Sequence, residues 1–288
     1  MHDRDIAALE MFADYQRAQT LAATTIRNRT SILSTLARNS ENGLVNCDVF
    51  TLRRHIGREG VTKGTKRTER GAFIAFFTFL CDDGLRTDNP AAKLPTINAP
   101  KGKPRPFTRE QVDAMLESGA YRKTRAMIII GYFQGFRVSQ IARVHGDDID
   151  LLTNTIHTVA KGQKEGRLPL HPMIRELAKS MPAHDWWFPA RKNPTTHVRA
   201  ASVTDLITKA KLRAGILDPR LTPHSLRHGF GTDLVDGGVD IRVVQELMMH
   251  ESLSTTQIYT GVSEERKQTD IVTLEPRPIP AQSGRRAA

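Results

Sequence analysis

A chain of 288 residues with 39% hydrophobic content is long enough for two domains and apolar enough to pack a core in each. Its longest apolar clusters, Phe73-Ile-Ala-Phe-Phe77 and Met127-Ile-Ile-Ile130, fall well short of the ~18 residues of a membrane span, and the start Met-His-Asp-Arg-Asp has no secretion-signal character. A formal net charge of +11, spread through both halves of the chain, disfavours small acidic substrates and favours a polyanion, nucleic acid above all.

The first hundred residues read as all-helical. Ile6, Leu9 and Phe12 recur at helical spacing, and Thr24 or Thr25 is positioned to cap a second helix carrying Ile26, Leu33 and Leu36. Val49, Leu52 and Ile56 form a third stripe. A fourth helix is predicted from about Thr65 to Cys81, with Phe73, Phe76, Phe77 and Leu80 on its buried side. Gly84 suits a left-handed cap, and Asp88-Asn-Pro90 stops any continuation. Cys47 and Cys81 sit in apolar helical contexts without metal-ligand spacing, which fits a reduced, cytoplasmic protein. Arg27, Arg29, Lys63, Lys66, Arg67 and Arg70 mark either a solvated face or a surface that meets DNA.

Residues 94–106 hold four prolines, one glycine and three basic side chains, the composition of a semi-rigid basic linker able to cross a DNA backbone. The expected division is therefore a helical DNA-binding domain over 1–93, a linker over 94–106, a second domain over 107–274, and a Pro-, Arg- and Ala-rich tail over 275–288 expected to be disordered. Thr108-Arg-Glu-Gln111 reads as a capping box that opens the second domain. Arg125 to Gln134 is an apolar helix broken at Gly135, and Arg137 to Val144 opens another. Thr155-Ile-His-Thr-Val159 alternates like a half-buried strand, Lys161 to Gly166 is a turn, and Arg167-Leu-Pro-Leu170 returns as a strand whose Pro169 suits a sheet edge. Helices follow at about 173–181 and 203–214, separated by Trp186-Trp-Phe188 as a short strand or core anchor. From Thr222 the pattern is helical again, punctuated by Gly237-Gly238. Trp186 and Trp187 are read as packing aromatics, Tyr15, Tyr121 and Tyr132 likewise, and Lys123, Arg125 and Arg143 as solvated or phosphate-positioning charges.

The chemistry gathers near the C-terminus. His224 and Arg227 are i, i+3 and project from one face of a helix whose first turn follows Pro223. His224 and His228 also have metal-ligand spacing, without a clear third ligand or adjacent base. His250 ends an apolar helix, where an imidazole complements the helix dipole, and Tyr259 follows nine residues later.

Taken together, Gly135-Phe-Arg137-Val-Ser139-Gln-Ile141, Lys161-Gly in a hairpin, His224-Ser-Leu-Arg227 and the stretch Leu247-Met-Met-His250 through Tyr259 resemble the tyrosine recombinase family, the phage integrases included. The resemblance extends over most of the chain. It implies a mainly α fold with a small β-sheet, an N-terminal helical core-binding (SAM-like) domain and a C-terminal α+β catalytic domain. It implies that Tyr259 attacks the scissile phosphate to form a 3′-phosphotyrosyl link, while Arg137 and Arg227 clamp the non-bridging oxygens. His224 would hydrogen-bond the phosphate and assist removal of the tyrosine proton, and His250 would donate a further bond. Lys161 would protonate the departing 5′-hydroxyl, with Lys164 a rival, because the hairpin is one residue longer than usual with Gly166 before Arg167. No metal or other cofactor is called for.

The chain departs from its relatives at Gln140, where an acidic residue is common, and at Met249, where glycine is usual. If that turn needs a left-handed backbone, methionine strains it by ~1–2 kcal/mol. Asp148 matches the family's Asp-Ile pattern and is expected to brace the site. The segment Gly261 to Leu274 is expected either to form a short helix with an apolar edge, which in the family packs on a neighbouring subunit, or to be disordered.

The function expected is a phage-type integrase acting as a homotetramer, a C-shaped clamp per subunit, on two duplexes bearing short core sites. An accessory directionality or bending factor is a candidate partner, and the setting is the bacterial cytoplasm at the nucleoid. Helical pattern begins almost at residue 1, so no arm-type domain is expected ahead of it. The alternatives are an Xer-like chromosome or plasmid dimer resolvase or a mobile-element recombinase. From other classes come a catalytically silent DNA-binding protein and a metal-dependent nuclease built on His224, His228 and His250.

Overall fold

The computed structural model describes residues 1–98, 105–159, 165–249 and 264–276. The chain divides into two compact units, Met1–Gly102 and Lys103–Ala288.

Four helices make the first unit: α1 (Asp3–Ala18), α2 (Ala23–Arg38), α3 (Val49–Gly57) and α4 (Lys63–Asp82), followed by a 3-10 turn, Pro90–Lys93. Leu9, Phe12, Leu33, Leu36, Leu52 and the α4 phenylalanines form its core. The Phe12 ring meets Phe76 edge-on at 5.4 Å, an arrangement that adds to simple burial. Ile6 departs from expectation: it is 40% exposed, and the inward stripe of α1 runs instead through Asp5, Ala8, Leu9, Phe12 and Gln16. Asp5 is buried because its carboxylate accepts the Leu44 and Val45 N–H groups at 2.9 and 3.1 Å, satisfying a turn that enters the core. Thr24 and Thr25 lie inside α2 rather than capping it, whereas Asp48 and Thr62 cap α3 and α4 through their side chains. Cys47 is buried in the connection before α3, not in a helix. Gly84 takes the left-handed conformation expected of it, φ +68°. Two of the basic residues are used locally: Arg70 donates to the Leu94 carbonyl at 3.1 Å, and Arg29 to Gln16 at 3.1 Å.

The second unit is α+β. It opens with α5 (Arg109–Glu117), whose capping box joins Thr108 and Gln111, then α6 (Arg122–Phe133) and α7 (Val138–Ala142). A sheet in the order β1 (Ile149–Asp150), β2 (Thr155–Val159), β3 (Glu165–Pro169) is antiparallel throughout. Helices α8 (Pro172–Ala178), α9 (Ala200–Arg213), α10 (His224–Asp236), α11 (Ile241–Leu247) and α12 (Glu264–Ile271) complete it. Every residue of α6 from Thr124 to Phe133 is buried, because α5, α8, α9 and α10 all pack against it. A helix apolar on all sides belongs at such a centre. Arg125 is drawn into this surround at 7% exposure, contrary to its reading as a solvated charge, and Tyr121 is 75% exposed rather than packed. Pro169 sits on edge strand β3, where no ladder donor is missed. Trp187 and Phe188 are each 1% exposed and anchor the core.

The C-terminal segment packs on its own domain. Ile271 and Leu274 join the core of the second unit, and α12 lies against α11 and β3. His171, fully buried, donates from Nε2 to the Leu274 carbonyl at 2.7 Å, because its Nδ1 already accepts the Met173 N–H at 3.1 Å. The short helix expected here forms, and its end docks on the same domain in place of the alternative of disorder. Residues 277–288 of the predicted tail lie outside the described residues.

Candidate active site

Backbone geometry delivers the first arginine. α6 ends at Gly135, φ +66°, where a Cβ would stand 2.5 Å from the Phe230 ring. Only glycine satisfies both the left-handed turn and that contact. Two residues later Arg137 precedes α7, and its backbone N–H donates to Gln140 Oε1 at 3.0 Å. Gln140 Nε2 in turn donates to Thr158 Oγ1 of β2 at 3.2 Å. Gln140 therefore fixes the Arg137 backbone to the sheet. A carboxylate in its place could accept from Arg137 but has no proton to give Thr158.

Arg227 is brought in by α10 and is 2% exposed. Its Nη1 donates to the Gly135 carbonyl at 2.6 Å and its Nη2 to the Met248 carbonyl, while Nε has no hydrogen-bond partner among the described residues. It makes no ion pair among them either. Burial, and then the charge of Arg137, push this guanidinium down to about 9. The two arginines thus stand close enough to repel, and among the described residues carbonyl dipoles rather than carboxylates hold Arg227. Such a site gains by accepting an anion.

His224, first residue of α10, is exposed, and its ring meets His228 edge-on at 4.6 Å. Burial and then the Arg227 charge hold His228 below the ordinary histidine range. Among the described residues no three His, Cys, Asp or Glu side chains converge as a metal site would require. Asp148 accepts from the His145 N–H at 3.2 Å and lies 3.4 Å from His157 Nδ1, bracing the approach to the sheet. Tyr132 is a poor rival nucleophile. Its phenol is spent on Asp233, whose same oxygen takes Arg109 Nε at 2.9 Å, and burial followed by that carboxylate raises its pKa.

Lys161, Lys164, His250 and Tyr259 lie outside the described residues. Their flanks are informative. β2 ends at Val159 and β3 begins at Glu165, so both lysines belong to the connection of this hairpin. Met249, just before His250, has φ +47°, the left-handed turn that the usual glycine would suit. The sequence reading missed Thr158 and the carbonyls of Gly135 and Met248. Thr158 left a trace, being a polar residue in a buried phase of an alternating strand. The carbonyls left none, because only the fold selects them.

Arg137 and Arg227 thus lie near one another in an α+β domain, one carried by the turn before α7 and the other by α10. The phage integrase family model matches residues 106–266, more than half the chain, and the chain belongs to that family. It is 34% identical over 224 residues to the tyrosine recombinase XerD of Proteus mirabilis, covering 71% of each protein. It is also 34% identical to the integrase from mycobacterium phage Brujita, covering 96% of this chain and 94% of that one at a TM-score of 0.55. A lambda integrase tetramer bound to a Holliday junction shares the fold at a TM-score of 0.71 with 14% identity, covering 88% of this chain and 79% of that one.

Proposed function

We propose that this tyrosine recombinase is a phage-type integrase that cleaves and rejoins DNA at short core sites through Tyr259. The Tyr259 oxygen bonds to phosphorus as the bond to the 5′-oxygen breaks. Lys161, or Lys164 in its stead, supplies the proton that lets a 5′-hydroxyl leave, and His224 assists removal of the phenolic proton. Arg137, Arg227 and His250 steady the charge that builds on the non-bridging oxygens. The 3′-phosphotyrosyl link keeps the phosphodiester energy, so a second 5′-hydroxyl reverses the step without ATP or another cofactor.

The observation that carries this reading is Arg227, buried as a cation beside Arg137 with carbonyls as its partners. The division into core-binding domain (1–93), linker (94–106) and catalytic domain (107–274) belongs to the same proposal, as do a homotetramer on two duplexes, an accessory bending or directionality factor, and work at the bacterial nucleoid. The lambda integrase tetramer on a Holliday junction supports the assembly by likeness of fold. No described helix is long and apolar enough to cross a membrane.

The test uses a duplex selected by binding from a random-sequence library, nicked near the centre so that cleavage traps the protein. Denaturing gels are expected to show a covalent adduct that Tyr259→Phe abolishes and a chelator leaves unchanged. No adduct on any such duplex favours a silent DNA-binding protein, and loss on chelation favours a metal nuclease. The resolvase reading stands second because the XerD relative is as similar in sequence as the phage integrase. An attachment site beside the gene supports integration, and paired sites at a replication terminus support resolution.

A further inference from the structure

Met249 does more than tolerate a turn made for glycine. Its side chain is 8% exposed and reaches across to β3, where a Cβ added to Gly166 would stand 2.9 Å from Met249 Cε and 3.8 Å from Sδ. The methionine methyl therefore rests on the one strand position that offers no side chain. Gly166 pairs with Thr158 across the β2–β3 ladder, and Thr158 is the residue that takes the Gln140 bond. Gln140 holds the Arg137 backbone. On the other side of Met249, the Met248 carbonyl takes Arg227 Nη2, and Arg227 Nη1 returns to the Gly135 carbonyl, two residues before Arg137. The contacts close a ring: Arg137, Gln140, Thr158, Gly166, Met249, Met248, Arg227 and Gly135. The Met249–Gly166 contact is the apolar link in that ring, and it joins the sheet to the turn after α11.

We propose that Met249 is a positioning residue whose side chain, seated on Gly166, couples the hairpin that carries Lys161 and Lys164 to the turn that leads into His250. The proposal rests on the recombinase reading for its chemistry. Two features that look like separate departures from the family, a methionine in place of glycine and an extra glycine in the hairpin, become one complementary pair. Met249 accepts an unfavourable backbone conformation and in return covers β3 at Gly166.

A merely structural role makes a different prediction from a positioning one. Met249→Gly relieves the left-handed strain but removes a buried core side chain, so the full-length protein is expected to melt a few degrees lower and to stay folded at assay temperature. Hydrogen exchange in the free protein is nonetheless expected to quicken about tenfold at the β2–β3 ladder, with α6 unchanged, because the strand loses its seat. On selected, nicked DNA, adduct formation is expected to slow about tenfold and to recover when sulfur replaces the 5′-bridging oxygen, since a thiolate leaves without needing the lysine proton. Gly166→Val supplies the second arm. Valine favours a strand, yet it displaces the Met249 methyl, so the same sulfur-rescued defect is expected from a hairpin of higher intrinsic propensity.

Unchanged ladder exchange in Met249→Gly overturns the proposal. So does a cleavage defect in both variants that sulfur does not rescue, which would place the effect on His250. If wild-type protein forms no Tyr259-dependent adduct on any selected duplex, the recombinase reading is what fails. The exchange measurement still decides the contact in that case.

Discussion

Replacing Arg227 by methionine and by lysine tests whether the site is arranged for an anion at the expense of the free fold. Wild-type Arg227 carries a buried charge beside Arg137, and two carbonyls accept from it. Methionine, of similar volume, removes the charge and its desolvation, an effective penalty of several kcal/mol for a buried ion. It also strands the Gly135 and Met248 carbonyls, at ~1–3 kcal/mol each. The opposing quantities are of one size, so Arg227→Met is expected to fold with stability within ~2 kcal/mol of wild type. Lysine keeps the charge but not the fork. Its single ammonium cannot span carbonyls held by opposite arms of the guanidinium, and the loss of one charged hydrogen bond removes about 1.5–3 kcal/mol.

For a unit of the size 103–288, the lysine variant should therefore melt about 3–12 °C lower than wild type. The conservative substitution should be the more damaging one. Thermal unfolding followed by circular dichroism, with and without sulfate, makes the comparison. Sulfate is expected to stabilise wild type and to do little for Arg227→Met, and both variants should lose adduct formation by on the order of 10²–10³-fold. If Arg227→Met unfolds, or is several kcal/mol less stable than Arg227→Lys, the guanidinium is a net stabiliser of the free fold. That outcome overturns the reading of Arg227 as a charge held for an anion.

Other outcomes follow from the same geometry. Gly135→Ala forces a Cβ toward the Phe230 ring at a left-handed residue, so a loss of ~2–5 kcal/mol is expected in denaturant titration, with reduced adduct because its carbonyl orients Arg227. Tyr132→Phe should lower stability by ~1–3 kcal/mol, by stripping Asp233 of its phenol, and leave adduct formation unchanged; a lost adduct would implicate Tyr132 in the chemistry. Burial pushes His171 down to about 4, so the unfolded chain takes up this proton first. The stability held by neutral His171, about 3 kcal/mol, is fully present above pH ~6.5 and lost as pH falls toward 4. His171→Gln should flatten that stretch of the melting-versus-pH curve, and an unaltered slope would refute the assignment.

What was legible in the chain was local. The α4 stripe, the Gly84 cap, the capping box at Thr108 and the edge position of Pro169 all depend on neighbours within a turn or a strand pair. The left-handed backbone at Met249 was foreseeable too, because a glycine position implies a conformation whichever residue fills it. Burial of Arg125 was not, since its fate depends on helices that approach from elsewhere in the chain. Docking of Leu274 was hidden for the same reason. It depends on His171, 103 residues away, presenting one protonated nitrogen. The candidate residues were legible by type, and their partners were not: Gln140 announced a change of character, but that it ties a backbone to Thr158 is visible only in the fold.

Arg227 and Met249 point to one allocation of free energy. A cation is buried with carbonyl dipoles as its partners, and the residue after one of those carbonyls is held in a conformation that disfavours its own side chain. Either feature alone would be an unexplained weakness, since the net stability of a folded domain is only ~5–15 kcal/mol. Under the proposed chemistry both features flank the scissile phosphate, where an anion would offset the charge that Arg227 and Arg137 bring together. The left-handed turn keeps the Met248 carbonyl in reach of Arg227 and lays the Met249 side chain on Gly166. Strain in the backbone is thus exchanged for orientation of the guanidinium and support of the hairpin. Sites that trade stability for geometry in this way are expected where a charged transition state, rather than the resting fold, sets the demand.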